Sequence, residues 1–443
     1  MHRVARISVI GMAALCLALT ASACSKNTES GKEQKGSEPV STLTKEPATL
    51  NIFLNQSMSD EEFQRLVVEP VKKKYPHITL TFSRPGTNSS LANLITSGQT
   101  PDIIYYSPYL YALAQYDLLK DIRPLMQKYS VNLSSFDPLV VDLMQRFAPS
   151  GEVYSLPFVK NTSAMFYNKE LFDKFGQAYP KDGMTWEDTI ELAKKVTRSV
   201  DGTPYRGLDP HMNGAIHNFA APLSLRLADA ATNKAYIDDK WKSVFQLAMD
   251  MYAIPGNRPA KIGNPLDDFL KNQVLAMFPA FYSQMQVNLP AVPQLNWDVV
   301  QLPAFREKPN TAYQIDYHQF VIAKSSKYPE QAMQAIHAIL SEETAVAAAR
   351  VGRIPAVKLP QLEKEFGAEV TVYKGKNIAG IFKSSNAVAA PQYQYDDMVR
   401  SQINRAFTDV FNGTVDINTA LRQAEERANQ AIAAELEKAG QKK

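Results

Sequence analysis

Five tyrosines fall within twelve residues, at positions 105, 106, 109, 111 and 116, at the end of the β-forming run 101–107. A tyrosine offers a flat apolar face and a hydroxyl tip, which suits recognition of a ring-shaped, hydroxyl-rich solute with no bond broken. In open α/β sheets ligands sit beyond the carboxyl ends of strands, where Tyr106 and Tyr109 fall. Alternation sends Tyr105 and Tyr106 to opposite faces, so one of the two belongs to a core. Catalytic alternatives leave little trace. Gly-x-Ser-x-Gly, His-Glu-x-x-His and paired metal cysteines are absent. His211 and His217 stand six apart, the wrong spacing for one helical face, so no metal site is expected. Asp267-Asp268 and Asp396-Asp397 read as solvated helix starts. Glycosidase carboxylates are paired in space and leave no sequence signature, so an exported polysaccharide-acting enzyme stays as an alternative.

The elements that must carry these residues alternate. Residues 48–56 read as a buried strand ending in the polar pair Asn55-Gln56. Ser59-x-x-Glu62 forms a capping box for a helix with Phe63, Leu66, Val67 and Val71 on one face, which Pro70 should kink or end. Strands follow at 77–84 and 101–107, with a helix at 91–98 closed by Gly98. Strands recur at 163–169, 297–303 and 318–324, and 269–279 reads as helix then strand. Thr185-x-x-Asp188 caps a helix that buries Trp186, Ile190, Ala193 and Val196. Helices cover 241–252 and 329–340, and long ones close the chain, with Ile403, Phe407, Val410 and Phe411 on one stripe. This alternation predicts parallel sheets flanked by helices. A body of this size exceeds one ordinary core, so two lobes are expected.

The N-terminus has its own logic. Arg3 and Arg6 precede an apolar run from 7 to 19, the layout of an export signal too short to span a bilayer comfortably. Ala21-Ser22-Ala23-Cys24 resembles the lipobox of bacterial lipoproteins, with Ala21 where that pattern favours Leu. The resemblance implies cleavage after residue 23 and a lipid on Cys24. Residues 25 to about 47 are rich in Ser, Lys, Glu, Gly, Thr and Pro, a composition that cannot bury enough apolar surface to order itself and so makes a disordered tether. The expected location is the extracytoplasmic face of the cell membrane, with the lipid as anchor. Cys16 lies in the signal, so the mature body has neither a disulfide nor a cofactor-binding thiol. The net charge of +3 loses two arginines with the signal, and the near balance that remains gives no footprint for nucleic acid.

The order of short motifs is more telling than any one of them. YPHITL, SGQTPDIIYYS, YDLLKDI, GEVYSLPF with MFYNKELFDKFG, MTWEDTIELAKKV, FLKNQVLAM, WDVVQLP, VIAKSSKYPEQAMQAIHAIL and GRIPA resemble, in that order, the extracellular solute-binding proteins of ATP-driven importers, family 1, the sugar- and oligosaccharide-binding lipoproteins. The likeness runs from about residue 50 to about 430. It implies an α/β, two-lobe periplasmic-binding-protein-like fold of type II with the ligand cleft between lobes: 48–157 plus 313–355 in one lobe, 158–312 plus 356–443 in the other. It further implies a monomer that binds a sugar or oligosaccharide without catalysis, metal or cofactor, closes by hinge motion, and delivers its cargo to ABC permease subunits. Tyr106 and Tyr109 fall at family contact points, as do Asn55 and Gln56, whose plainer reading is a turn. PAFYSQMQ at 279–286 replaces a Gly-x-Trp segment of the cleft floor and offers Phe281 and Tyr282, with Ser283 and Gln284. YQIDYHQF at 313–320 replaces a double-glycine strand entry; Asp316, Tyr317 and His318 there either bond ligand hydroxyls or line the hinge. A receptor of the same fold for a peptide or other non-sugar solute remains the second alternative.

Overall fold

The computed structural model describes residues 43–87, 89–107 and 109–441. The export signal 1–23, Cys24 and the tether as far as residue 42 lie outside the described residues. Thr44–Lys443 form one compact unit built around two sheets.

The first sheet has six strands in the order Ile354–Pro355, Ser155–Asn161, Asp316–Ile322, Ile103–Tyr106, Ala48–Leu54, Ile78–Ser83. The second has five, in the order Trp297–Gln301, Ser163–Asn168, Leu275–Phe281, Thr203–Leu208, Arg198–Val200. Ala48–Leu54 pairs in parallel with both its neighbours, and Leu275–Phe281 pairs in parallel with Thr203–Leu208. The fully parallel arrangement expected from the alternation stops there. Asp316–Ile322 runs antiparallel to both its neighbours, and Ser163–Asn168 does the same in the second sheet. Parallel pairing needs a crossover of a dozen or more residues. Thr162 alone separates Ser155–Asn161 of the first sheet from Ser163–Asn168 of the second, so the chain runs directly from one sheet into the other, and each of these two strands is antiparallel to its neighbours.

Local signals behave as their chemistry dictates. Ser59 and Glu62 form the capping box, and so do Thr185 and Asp188. Pro70 is absorbed without a break: the turn before it, Gln64–Val68, is wound as π-helix, and the α-helix resumes over Glu69–Lys74 with Pro70 in its first turn, where a missing N–H costs nothing. Each sheet has its own apolar core. Leu50, Ile52, Phe63, Ile336 and Ile339 belong to the first. Trp186, Trp241, Phe245 and Phe407 belong to the second, under the helices Asp239–Tyr252, Asp396–Phe411 and Ile417–Gln441. The thin apolar face of the last helix is Ala420, Leu421, Ala424, Ala428 and Ile432, and its three alanines let it lie close against its neighbours.

Candidate functional site

Where the strands change sheets, one side chain organises the surroundings. The Asn161 Oδ1 accepts from the backbone N–H of Thr162 at 3.0 Å and of Ser283 at 3.1 Å. Two donors on the oxygen fix the amide's orientation, so its Nδ2 is turned to Asp316 and donates to Oδ2 at 3.3 Å. Asp316 is Asn161's register partner on the adjoining strand. Ser283 lies in the helix Tyr282–Asn288, which follows Leu275–Phe281 of the second sheet directly. Asn161 thus ties the entry of one sheet to the exit of the other.

Beside it lies a cavity of about 380 Å³, lined by Gln56, Asn161, Phe281, Gln284, Asp316, His318 and Arg353 among others. Phe281 supplies an aromatic wall, held edge-on against Tyr313 with ring centroids 4.4 Å apart. Val287 adds an aliphatic side chain and Ser57 and Ser283 add small polar ones; the remaining lining is amide, carboxylate, imidazole and guanidinium. Arg353, 4% exposed, is held through Nε and Nη2 by both oxygens of Glu62 at 2.8 Å and gives a further bond to the Ser57 carbonyl at 3.1 Å. Burial by itself would raise the Glu62 pKa, but the Arg353 guanidinium and the Ser59 N–H outweigh it and hold the carboxyl below its ordinary value. His318 meets the Tyr105 hydroxyl through Nδ1 at 3.2 Å, and burial, helped by Arg353, pushes its pKa down to about 3, so the ring is neutral. Asp316 goes the other way: burial raises it to about 6 against the opposing bonds from Asn161 and the Tyr317 backbone.

A second cavity of about 190 Å³ opens between the end of Ile103–Tyr106 and the start of Asp396–Phe411. Tyr106, Tyr109, Tyr111, Tyr393, Asp396 and Arg400 line it. Arg400 stands over the Tyr109 ring, 5.5 Å from its centroid, and Gln314 Nε2 donates to the Tyr109 hydroxyl at 3.2 Å. Burial pushes the Tyr109 pKa up to about 12 and Asp396 up to about 6. Gln314 lies two residues before Asp316 in the chain. A groove of about 500 Å³ on the far side of the first sheet, lined by Arg65, Lys73, Lys74 and Glu343, contains no aromatic ring and is unsuited to the same task.

The structure therefore brings Gln56, Phe281, Asp316 and His318 together in the first cavity and Tyr106 and Tyr109 in the second. Asn55 lines neither; it is half-buried and its N–H donates to the Tyr105 carbonyl at 3.0 Å. Tyr282 is 3% exposed and bonds the Gly352 carbonyl and the Tyr373 hydroxyl, both at 2.7 Å, which makes it a strut between sheets. Tyr317 alternates away from Asp316 and His318 and packs with Val140, Leu143 and Ile315. Tyr105 is the core member of its pair, and Tyr393 reaches a cavity while Tyr395 packs beneath. Sequence reasoning missed Arg353, Asn161 and the second role of Glu62. Arg353 sits inside the GRIPA motif and Glu62 inside the capping box, so both were visible and assigned to other work. Among the described residues, no cluster of three or more His, Cys, Asp or Glu is arranged for a metal, and no helix is long and apolar enough to cross a membrane.

Comparison with known proteins fits this geometry. The family model described as bacterial extracellular solute-binding protein matches residues 56–346. The multiple sugar-binding protein of Streptococcus mutans is 24% identical over 203 residues, which span 45% of this chain and 43% of that relative. This match therefore covers less than half of the curated relative's length. Among solved structures, an ABC substrate-binding protein from Listeria monocytogenes in complex with cycloalternan superposes with a TM-score of 0.74 at 18% identity, covering 88% of this chain and all of the other. A solute-binding protein from Thermotoga lettingae bound with α-D-tagatose gives 0.68 at 18%, with coverage of 87% and 99%. At such identities the likeness speaks for the fold, which is α/β and two-lobed with a cleft between lobes.

Proposed function

Because the chain belongs to the bacterial extracellular solute-binding protein family, we propose that it captures a sugar or oligosaccharide in the cleft between its two sheets and passes it to the permease of an ABC importer. One observation carries the reading: the 380 Å³ cavity combines an aromatic wall, Phe281, with planar polar groups from Gln56, Asn161, Asp316 and Arg353. An aromatic face meets the C–H side of a pyranose, and amide, carboxylate and guanidinium groups meet its hydroxyls in pairs. The names of the relatives support the same class of solute.

The mechanism is conformational and breaks no bond. One lobe is built on the first sheet and the other on the second, and the chain's first crossing between them falls at Thr162, after the strand Ser155–Asn161. A solute that touches both binds the closed form better than the open one, and that difference in affinity shifts the population toward closure. Lipid on Cys24 and the tether to residue 47 keep the monomeric body beside the membrane at its outer face. Replacement of Cys24 by Ser should then release the protein from the membrane fraction.

The direct test is a thermal-shift screen of the purified chain against mono- and oligosaccharides, with amino acids, short peptides and polyamines as controls. A ligand bound only by the folded state raises the melting temperature by mass action. A shift with one saccharide class and no product on incubation supports the reading. Turnover of the saccharide would replace it with an enzyme, and a response confined to the controls would keep the fold and change the solute.

A further inference from the structure

The charges around the first cavity are already committed, with one exception. The charge of Arg353 is balanced by Glu62, to which its Nε and Nη2 donate, and Nη2 also reaches the Ser57 carbonyl; Glu62 in turn accepts from Arg353, the Ser59 N–H and Gln286. His318 is neutral and bonded to Tyr105. Lys160, on the strand that carries Asn161, is paired to Asp137 at 2.5 Å. Tyr109 and Tyr313, which lie near enough to Asp316 to feel its charge, are phenols whose pKa burial raises. Among the described residues, Asp316 is left with a single side-chain donor, Asn161 at 3.3 Å, and no cationic partner. A half-buried carboxylate at the cavity wall so poorly supplied is costly, and its ionised form is stabilised by whatever brings donors to it.

We propose that Asp316 makes the cleft selective for solutes that present hydroxyl or amino donors and carry no negative charge, and that capture of such a solute is coupled to release of the carboxyl proton to solvent. The inference rests on the solute-binding reading and narrows it. A neutral sugar hydroxyl or an ammonium group donates to the ionised carboxylate and completes its bonding. A uronate or phosphate brings a second anion into a cavity whose one strong cation is neutralised by Glu62, and like charges repel strongly where water is excluded. Protonated Asp316 offers one acceptor fewer and a donor where the solute also has donors, so capture weakens in acid. With the carboxyl titrating near pH 6, about a tenth of it is ionised at pH 5 and nearly all at pH 7.5, which sets an approximately tenfold loss of affinity between the two. Asp396 also titrates near 6, but it lies in the second cavity with Oδ2 accepting from the Tyr393 N–H, so the two acids are separable by mutation.

The experiment has a ligand-free arm and a binding arm. Carbon-13 carboxyl titration of the intact protein, with Asp316 assigned from its loss in Asp316→Asn, should show a midpoint near 6; a midpoint near the ordinary aspartate value overturns the proposal. Calorimetric titrations at pH 7.5 and 5.0, in two buffers of different ionisation enthalpy, would use glucose, galactose and mannose, their disaccharides, and glucuronate, galacturonate and glucosamine. Expected are about tenfold weaker binding at pH 5, proton release with the neutral saccharides near pH 6, and uronates at least about a hundredfold weaker than their neutral counterparts. Asp316→Asn should abolish the pH dependence and the proton release, whereas Asp396→Asn should leave both. A flat pH profile, a profile that survives Asp316→Asn, or a uronate bound as tightly as its neutral sugar overturns the selectivity and leaves sugar capture standing. Silence across every saccharide overturns both.

Discussion

Replacing Glu62 by Gln should cost about 3 kcal/mol of stability at pH 7, because it strands the Arg353 guanidinium in a site where it is 4% exposed. The magnitude follows from the contacts. Glu62 accepts two bonds from Arg353 at 2.8 Å, while the Ser57 carbonyl at 3.1 Å is a further, neutral acceptor. Breaking one side of a buried ion pair typically costs about 3–5 kcal/mol, and Gln, which keeps the shape and one acceptor, belongs at the lower end. The helix cap is a smaller matter: Ser59→Ala removes it alone and should cost about 1 kcal/mol. Glu62→Gln combined with Arg353→Met should cost much less than the two single changes together, since neither charge is then left without its partner. Urea unfolding of the four proteins gives the coupling energy. Acid supplies the second check. The Glu62 pKa is lowered in the fold, so the pair's contribution is whole above the ordinary glutamate range and is lost as pH falls through the lower folded value. The deficit of Glu62→Gln should therefore narrow at pH 3. A cost under about 1 kcal/mol at pH 7, or strict additivity in the double variant, would refute the view that this pair holds the cavity floor.

Three further outcomes are expected. Phe281→Ala should weaken saccharide binding by about tenfold or more while the protein stays folded, as calorimetry and circular dichroism would show; unchanged affinity would place the aromatic wall elsewhere. Tyr282→Phe should cost about 1–2 kcal/mol through the loss of its bond to Gly352, with solute affinity within twofold of the parent, and a selective loss of affinity would make it a ligand contact after all. Asp316→Asn should stabilise the ligand-free protein. A carboxyl raised from 3.8 to about 6 binds its proton more tightly folded than unfolded, so stability falls as pH rises between those values, and the full cost stands above them. Urea unfolding should accordingly show a gain of about 3 kcal/mol at pH 7.5 and about 1 kcal/mol at pH 4.5; equal gains at both would mean that the charge is not its source.

What was legible in the sequence was whatever depends on neighbours along the chain. Capping boxes at Ser59 and Thr185 need only residues three apart, and the apolar stripe through Trp186, Ile190, Ala193 and Val196 needs only the helical period, so both were readable and both are present. The order of the motifs carried the family. Strand alternation likewise decided that Tyr105 and Tyr106 part company, though not which of them stays inside. The tertiary structure decided which strands run antiparallel, because pairing joins segments far apart in the chain, such as Ile103–Tyr106 and Asp316–Ile322. It separated Asp316 and His318, which face the cavity, from Tyr317, and turned Tyr282 from a candidate contact into a strut. Above all it assembled Asn161, Asp316, Glu62 and Arg353, whose positions in the chain span nearly three hundred residues. Their meaning lies in burial and in the number of donors each has been given, and those quantities exist only once distant segments exclude water from one another.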